Sequence, residues 1–227
     1  MRKFTHTTST QATASAAKLP MQEAAYQRIK QEIMSLNFAP GDYLNELTLC
    51  SQLGIGRTPV HIALRRLMHE GLVEIVPRKG SMVKPLSLDE ILQLTEVRLC
   101  NEVLCARLAA VRATKEDIVA MTALLERSDS ASARGDAAER LALGRQFHQL
   151  ISKAACNSVL ADILSTLYDR SLRYWVISMR EPQRHVPVGR EHWEILHAIQ
   201  QRDPDAAAES ARKHVESFLE TITRRIA

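Results

Sequence analysis

The segment Gly56-Arg-Thr-Pro-Val-His-Ile-Ala-Leu-Arg-Arg-Leu67 decides the fold of the N-terminal part of the chain. Its apolar residues recur at helical spacing and are Val60, Ala63, Leu64 and Leu67. This pattern predicts a helix that packs by one face. Pro59 in the first turn, with Thr58 before it as an N-cap, is typical of a helix start. The other face carries arginines and a histidine and no acidic residue, which favours contact with a polyanion.

The elements around this helix follow a familiar order. Two amphipathic helices are expected before it, over 22–36 and 45–53, and Gly71 is a suitable C-cap residue after it. Two short alternating runs at 72–76 and 81–83, separated by a turn, predict a β-hairpin. Three helices followed by a two-stranded wing make a winged helix-turn-helix.

The rest of the chain shows helical periodicity and no strand pattern. Pro85 breaks the second wing strand, so residues 85–87 are expected to be a linker, and Ser87 can cap the helix that follows. Six helices are expected, over 88–112, 115–134, 136–155, 158–179, 188–201 and 204–226. The predicted fold class is mainly α, with a winged helix-turn-helix over 21–84 and an all-helical bundle over 88–227.

Length, composition and charge restrict the class of protein. The 227 residues suit two domains, and residues 1–20, rich in Ser, Thr and Ala, are expected to form a mobile tail. No apolar run reaches the ~20 residues that span a bilayer, and the four cysteines show no CxxC spacing, so a cytoplasmic protein with no membrane partner is expected. Residues 1–84 hold 11 Lys/Arg against 6 Asp/Glu, whereas residues 85–227 hold 19 against 20. The excess positive charge therefore lies on the N-terminal part.

A basic helix in this context is expected to enter the major groove of double-stranded DNA. Arginine can bond the O6 and N7 of guanine, and a helix N-terminus with a threonine hydroxyl can meet a phosphate. A solvated basic face is the alternative for an isolated charge run, but the order of elements favours DNA. The predicted DNA-binding residues are Arg57, Thr58, Pro59, His61, Arg65 and Arg66 of the helix and Arg78, Lys79 and Gly80 of the wing.

Four short runs across residues 22–84 form a specific set. They are Pro40-Gly41-x-x-Leu44-x-Glu46-x-x-Leu49, Leu53-Gly-x-x-Arg-Thr-Pro-Val60, Ala63-Leu-x-x-Leu67 and Glu70-Gly-Leu-Val73. This set resembles the DNA-binding domain of the GntR family of bacterial regulators. Two positions depart from the family pattern, because Gly56 stands where Ser is usual and His61 where Arg is usual. The departures imply an atypical operator, or weaker binding that is more sensitive to pH.

Three histidines of the second part fall on apolar helix faces, and they are His148, His192 and His214. A single histidine of this kind is typical of a hydrogen-bonded core residue. Three on the inward faces of three helices can instead converge on one divalent metal, for which neutral imidazole is a good ligand. The spacing alone leaves both interpretations open.

The second part contains Phe147-His148, Asn157, His192-x-x-Ile-Leu-x-Ala-Ile199 and a helix from Asp203 to His214. These residues are similar to the FCD ligand-sensing domain of the FadR subgroup of GntR regulators. The resemblance implies a Zn, Ni or Mn ion held by one Asp and three His, with a carboxylate effector beside it. It assigns the metal to His148, His192 and His214, but Gly144 stands where the Asp is usual. The implied divalent metal site therefore lacks one ligand.

Arg98 and Glu102 lie one helical turn apart and match the Arg-x-x-x-Glu pattern of the subgroup. One interpretation is a surface ion pair. The other is an inward Arg98 that clamps an organic acid through its guanidinium group. Arg145 and Arg173 are further candidates, so the predicted effector-binding residues are Arg98, Glu102, Arg145 and Arg173.

These features predict a ligand-responsive, DNA-binding transcription regulator rather than an enzyme. The resemblance implies a homodimer whose recognition helices match two half-sites of an operator, and a repressor released by a small carboxylate effector. One alternative is a metal-dependent enzyme that uses the three histidines, although no convincing general base stands beside them. A second alternative is a module that acts through protein partners.

Overall fold

The structure is a computed structural model that describes residues 20–178 and 188–226. The N-terminal elements are α1 (Met21–Met34), β1 (Tyr43–Leu44), α2 (Glu46–Leu53), α3 (Arg57–His69), β2 (Val73–Val76) and β3 (Gly80–Val83). The helices that follow are α4 (Leu88–Arg112), α5 (Lys115–Ala133), α6 (Ala137–Ala154), α7 (Ser158–Ser178), α8 (Val188–Gln200) and α9 (Pro204–Ile226). The predicted fold class is confirmed. The expected tail, apart from Pro20, and the last residue of the helix expected over 158–179 lie outside the described residues.

The wing contains a third strand that the sequence analysis missed. Strand β1 pairs antiparallel with β3, with Tyr43 opposite Met82, and β2 pairs with the other edge of β3 to give the order β1-β3-β2. A strand of two residues is too short to show alternation, so only its partner strand defines it. The sheet and the first three helices enclose one apolar core, which includes Ile29, Ile33, Leu64, Leu67 and Val83.

Helix α3 begins earlier than expected. Its N-cap is Gly56, and no side chain caps it, so the prediction of Thr58 as the N-cap is wrong. Pro59 lies within the first turn, where a missing N–H costs no helical hydrogen bond. The N-caps predicted for the helical part are confirmed, and they are Ser87, Thr114, Asn157 and Asp203.

The helical part is organised around α4. This helix packs along α9 and also contacts α6, α7 and α8. The core that they share includes Leu94, Phe147, Leu164, Leu196 and Ile222. The packing leaves a cavity bordered mainly by α4 and α6 to α9. None of the helices in the described part of the chain is long and apolar enough to cross a membrane.

Candidate DNA interface and ligand cavity

The exposed side of α3 presents most of the predicted DNA-binding residues. Arg57, Thr58, His61 and Arg65 are exposed, and Pro59 is half-buried. The unpaired backbone N–H groups of the helix N-terminus lie at the same end and can meet a phosphate. One surface therefore combines guanidinium, imidazole and hydroxyl groups.

Glu46 of α2 positions two of these side chains. Its Oε1 lies 2.9 Å from His61 Nδ1, and its Oε2 accepts a hydrogen bond from Arg57 Nε at 3.4 Å. The hydrogen bond with His61 lowers the pKa of the Glu46 carboxyl group. Because His61 Nδ1 faces Glu46, Nε2 is the ring nitrogen that remains for a partner outside the domain. Glu46 belongs to one of the sequence motifs, but the motif alone does not predict this positioning role.

Arg66 lies on the α1 side of α3. Its guanidinium carbon is 3.5 Å from the centroid of the Tyr26 ring, and Nη1 donates to Glu23 Oε2 at 2.8 Å. Its Nε also pairs with Glu70 Oε1 at 3.3 Å. These contacts hold Arg66 at the α1–α3 packing contact, so the structure groups it with α1 rather than with Arg65.

The wing tip carries the other three predicted residues. Arg78 and Lys79 are exposed between β2 and β3, and the exposed Gly80 begins β3. Arg78 has a φ of 66°, a left-handed conformation that few non-glycine residues adopt, and the tight turn places two cations at the tip. Lys79 Nζ lies 5.8 Å from the centroid of the Tyr43 ring.

The cavity of the helical part has a volume of about 110 Å³. This is smaller than the ~300–1,000 Å³ typical of sites for drug-sized ligands, so the cavity suits a small molecule. Its lining includes Arg98, Gly144, Arg145, His148, His192 and His214. The structure therefore brings the predicted metal ligands and two of the predicted effector-binding arginines to one place.

The three histidines converge. The ring centroids of His148 and His192 are 5.1 Å apart, those of His148 and His214 are 5.1 Å apart, and those of His192 and His214 are 4.8 Å apart. Their potential ligand atoms all lie within 4.8 Å of one another. Nitrogens bound to one tetrahedral Zn²⁺ at ~2.0–2.1 Å stand roughly 3.4 Å apart, so a modest contraction would bring all three to one ion.

A carboxylate orients one of these rings, and a second carboxylate lies near another. Glu191 Oε2 lies 2.8 Å from His214 Nδ1, and Glu102 Oε2 lies 3.9 Å from His148 Nδ1. A carboxylate on one ring nitrogen fixes the ring so that its other nitrogen can bind a metal. His192 Nε2 is buried without a hydrogen-bond partner among the described residues. An orphaned buried nitrogen of this kind fits a metal ligand.

Two of the three histidines carry the charge state that a metal requires. Burial, and then the neighbouring His192 and His214, hold the pKa of His148 well below its ordinary value. Burial, and then His214, do the same for the pKa of His192. Neutral imidazoles bind metal without first losing a proton, so the residues present fit a divalent ion.

Gly144 faces this cluster from one turn earlier on α6. A Cβ atom added at Gly144 would lie 3.6 Å from His192 Cε1, which is ordinary van der Waals contact. The position is therefore close enough to the cluster to supply a fourth ligand, and a side chain there has room. The chain places no carboxylate at this point.

Arg98 lies inside the helical part. Its side chain is 4% exposed and that of Glu102 is 5% exposed, so the surface ion-pair interpretation is wrong. Arg98 Nε donates to Glu102 Oε1 at 2.6 Å. The guanidinium carbon also lies 4.5 Å from the Phe218 ring centroid and 5.5 Å from that of Tyr168. This arrangement fixes the guanidinium group at the cavity wall.

Both parts of the chain match known families. Residues 21–83 match the model described as bacterial regulatory proteins, gntR family, and residues 93–217 match the FCD domain. The chain belongs to the GntR family, with an FCD domain. The assignment agrees with the winged helix-turn-helix and with the three-histidine cavity.

Known proteins are similar to this GntR regulator over both its DNA-binding and its helical domain. The transcriptional repressor RspR of Escherichia coli (strain K12) is 26% identical over 203 residues, covering 89% of this chain and 89% of that protein. The Glc operon transcriptional activator of the same strain is 28% identical over 226 residues, with the same two coverages of 89%. The solved structure of E. coli McbR/YncC has a TM-score of 0.83 at 18% identity and covers 92% of this chain and 100% of that one, which shows the fold alone.

The two remaining candidate arginines of the GntR regulator lie in different places. Arg145 lines the cavity and pairs with Asp169 Oδ1 at 2.6 Å. Arg173 is fully buried at the junction of the two domains, where Nη1 donates to the carbonyl oxygen of Lys84 at 2.8 Å. The structure therefore does not bring Arg173 to the cavity.

Helix α7 has two faces with different neighbours. Residues at spacings of three and four line the cavity, and they are Tyr168, Ser171, Leu172 and Trp175. Their intervening neighbours contact the DNA-binding domain or the linker, and they are Asp169, Arg170, Arg173 and Tyr174. Residues three and four apart share a helix face, so these two sets lie on opposite sides of α7.

A chain of ion pairs leads from the cavity to α3. Asp169 of α7, 1% exposed, pairs through Oδ1 with Arg145 and through Oδ2 with Lys30 Nζ of α1, each at 2.6 Å. Lys30 Nζ also pairs with Glu70 Oε2 at 2.7 Å, directly after α3. Tyr26 donates its hydroxyl proton to Glu70 Oε1 at 2.8 Å. The sequence analysis missed Asp169, Lys30 and Glu70, because no local spacing links residues so far apart in the chain.

Proposed function

We propose that this GntR regulator is a ligand-responsive repressor that a small carboxylic acid releases from a double-stranded DNA operator. The observation that carries the proposal is the two-faced helix α7, which lines the ligand cavity on one side and holds the DNA-binding domain on the other. A ligand that favours one placement of α7 shifts the population of DNA-binding arrangements by its differential affinity for them.

The cavity offers two kinds of group to a carboxylate. His148, His192 and His214 would hold one divalent ion (Zn, Ni or Mn), which would supply a Lewis-acidic anchor for a carboxylate oxygen. Arg98 supplies a fixed guanidinium that can bond the same acid. Glu102 positions Arg98 through a hydrogen bond, and its other oxygen lies 3.9 Å from His148 Nδ1. The family relatives are regulators, so the proposed role of the metal is ligand anchoring rather than catalysis.

The proposal includes a homodimer formed through α4. Val97, Leu104 and Val111 recur every seven residues on this helix and are 46%, 45% and 65% exposed. Such a stripe is apolar surface that a second copy can cover in a self-complementary, two-fold contact. We expect Leu104→Glu to give a monomer in sedimentation analysis. The control Val119→Glu, at an exposed valine of α5 outside the stripe, should stay dimeric.

The test of ligand response begins with a screen. Thermal shift with Zn²⁺ and a panel of mono-, di- and tricarboxylic acids identifies an acid that raises the Tm of the protein. Fluorescence anisotropy then measures affinity for an operator selected from random duplexes, with and without that acid. We expect the acid to weaken operator binding of the wild-type protein.

Two variants make this test specific. Arg98→Gln removes the guanidinium at the cavity wall, and we expect it to bind the operator without responding to the acid. Arg107→Ala, on the same helix but at the surface, should respond as the wild type does. An Arg98→Gln protein that keeps the full response would contradict the role of Arg98 in binding the acid. If the acid instead tightens operator binding of the wild-type protein, the acid does not release the protein from DNA, and the proposed repressor mechanism is wrong.

A further inference from the structure

The outermost line of α3 contains an isoleucine at its centre. The buried stripe of this helix is Val60, Ala63, Leu64 and Leu67. At 100° per residue, the line opposite that stripe is Thr58, Ile62, Arg65 and His69. All four are exposed. Arg57 and His61 lie toward α2, and Arg66 lies toward α1.

Ile62 is 44% exposed on this polar surface. Single exposed apolar side chains are ordinary on proteins and need no explanation by themselves. Ile62 differs because of its place, one turn after Thr58 and three residues before Arg65 on the line that faces away from the core. A recognition helix that enters the major groove with this line foremost would bury Ile62 against base edges.

The major groove offers one apolar group, the C5-methyl of thymine, among hydrogen-bond donors and acceptors. A side chain without polar atoms cannot bond those donors and acceptors, and it would desolvate them at a cost. We propose that Ile62 determines operator specificity by packing on a thymine methyl group in each half-site. This inference rests on the DNA-binding function of α3.

The test removes the methyl group alone. After an operator has been selected with the full-length protein, each thymine of its half-sites is replaced in turn by deoxyuridine, which lacks only the C5-methyl. Burial of one methyl is worth ~0.8 kcal/mol, or about fourfold in affinity. At one position per half-site, uracil should therefore weaken wild-type binding about fourfold, and about fifteenfold when both half-sites are changed.

Ile62→Ala assigns the effect to this residue. Because the side chain is exposed, truncation leaves the core of the domain intact, which circular dichroism checks. We expect Ile62→Ala to bind thymine and uracil operators equally well. The matched control Val119→Ala, an exposed apolar truncation in the helical domain, should keep the wild-type preference for thymine.

The outcomes are distinguishable. The inference is overturned if the half-sites contain no thymine, if every uracil operator binds wild-type protein as tightly as the thymine operator, or if Ile62→Ala keeps the preference. In each of those cases the protein still binds DNA. A folded protein that enriches no duplex would overturn the DNA-binding function itself, and this inference with it.

Discussion

The two faces of α7 differ in chemistry as well as in what they contact. The cavity face presents aromatic, small and apolar side chains to the cavity. The junction face presents Asp169, Arg170 and Arg173, which are buried or half-buried. They bond to α1, to the start of α4 and to Lys84 at the end of the DNA-binding domain. One face can adapt to a small molecule, whereas the other fixes a single arrangement of charges. Under the proposed function, this difference would let one helix both contact a ligand and hold the DNA-binding domain.

Buried charges make the junction face sensitive to small displacements. A buried ion pair stabilises a fold only with good geometry, and loss of one partner leaves the other charge uncompensated. Asp169 pairs with both Arg145 and Lys30, so a shift of α7 that lengthens either pair leaves a charge less well compensated. Arg173 is held less completely, because its Nε and Nη2 are buried without partners among the described residues.

The largest expected effect on stability comes from a substitution in the junction face. Asp169→Asn keeps the size of the side chain but removes the charge that Lys30 and Arg145 share. We expect the free energy of unfolding to fall by about 3 kcal/mol, because Arg145 loses its counter-charge and Lys30 keeps only Glu70. Urea denaturation followed by tryptophan fluorescence measures the change.

An exposed ion pair provides the control. Asp205 pairs with Arg107 at 2.6 Å, but its side chain is 82% exposed. Asp205→Asn should therefore change the free energy of unfolding by less than about 1 kcal/mol. Equal losses in the two variants would show that the junction face has no special role in stability.

A substitution on the cavity side should affect metal binding rather than the junction. His192→Ala removes a buried metal ligand, and we expect the purified protein to lose its divalent ion, with affinity reduced about 100-fold or more. His197→Ala, on an exposed position of the same helix, should retain about one ion per chain. Metal content by mass spectrometry decides the matter. If both variants carry the same metal content, the histidine cluster is not the metal site.

A smaller effect is expected on metal affinity when a ligand is added on the cavity side. Gly144→Asp would add a carboxylate beside His192, where a Cβ fits at 3.6 Å. We expect about tenfold tighter Zn²⁺ binding by competition with a chelating dye, because a charged ligand completes the site. Unchanged or weaker Zn²⁺ binding would show that the three histidines do not gather around an ion next to position 144.

The sequence predicted those features that local patterns define. Helix positions followed from apolar periodicity, and caps such as Thr114 followed from their own side chains. Strand β1 was missed because its two residues depend on β3, which comes much later in the chain. The sequence also could not predict that Arg98 lines the cavity while Arg173 lies at the junction of the two domains. Periodicity shows that a helix has faces, but only packing shows which neighbour each face meets.

The same limit applies to the ion-pair chain. Lys30, Glu70 and Asp169 each look like ordinary charges on a helix or at its end, and a charged side chain is usually solvated. Their contact requires α1 and α7 to meet, which depends on how the two domains dock. By contrast, the three histidines could be proposed from sequence because each one lies on an apolar face.

The measurement that tests the central claim most directly is the effect of Lys30→Gln on ligand coupling. Lys30 lies outside the cavity lining but pairs with Asp169, so the variant should bind the acid found by thermal shift with wild-type affinity. We expect that acid to change wild-type operator affinity by about 5- to 150-fold and to change that of Lys30→Gln hardly at all. The exposed-site control Lys213→Gln should match the wild type. A Lys30→Gln protein that keeps the wild-type ratio would contradict transmission through the junction face of α7.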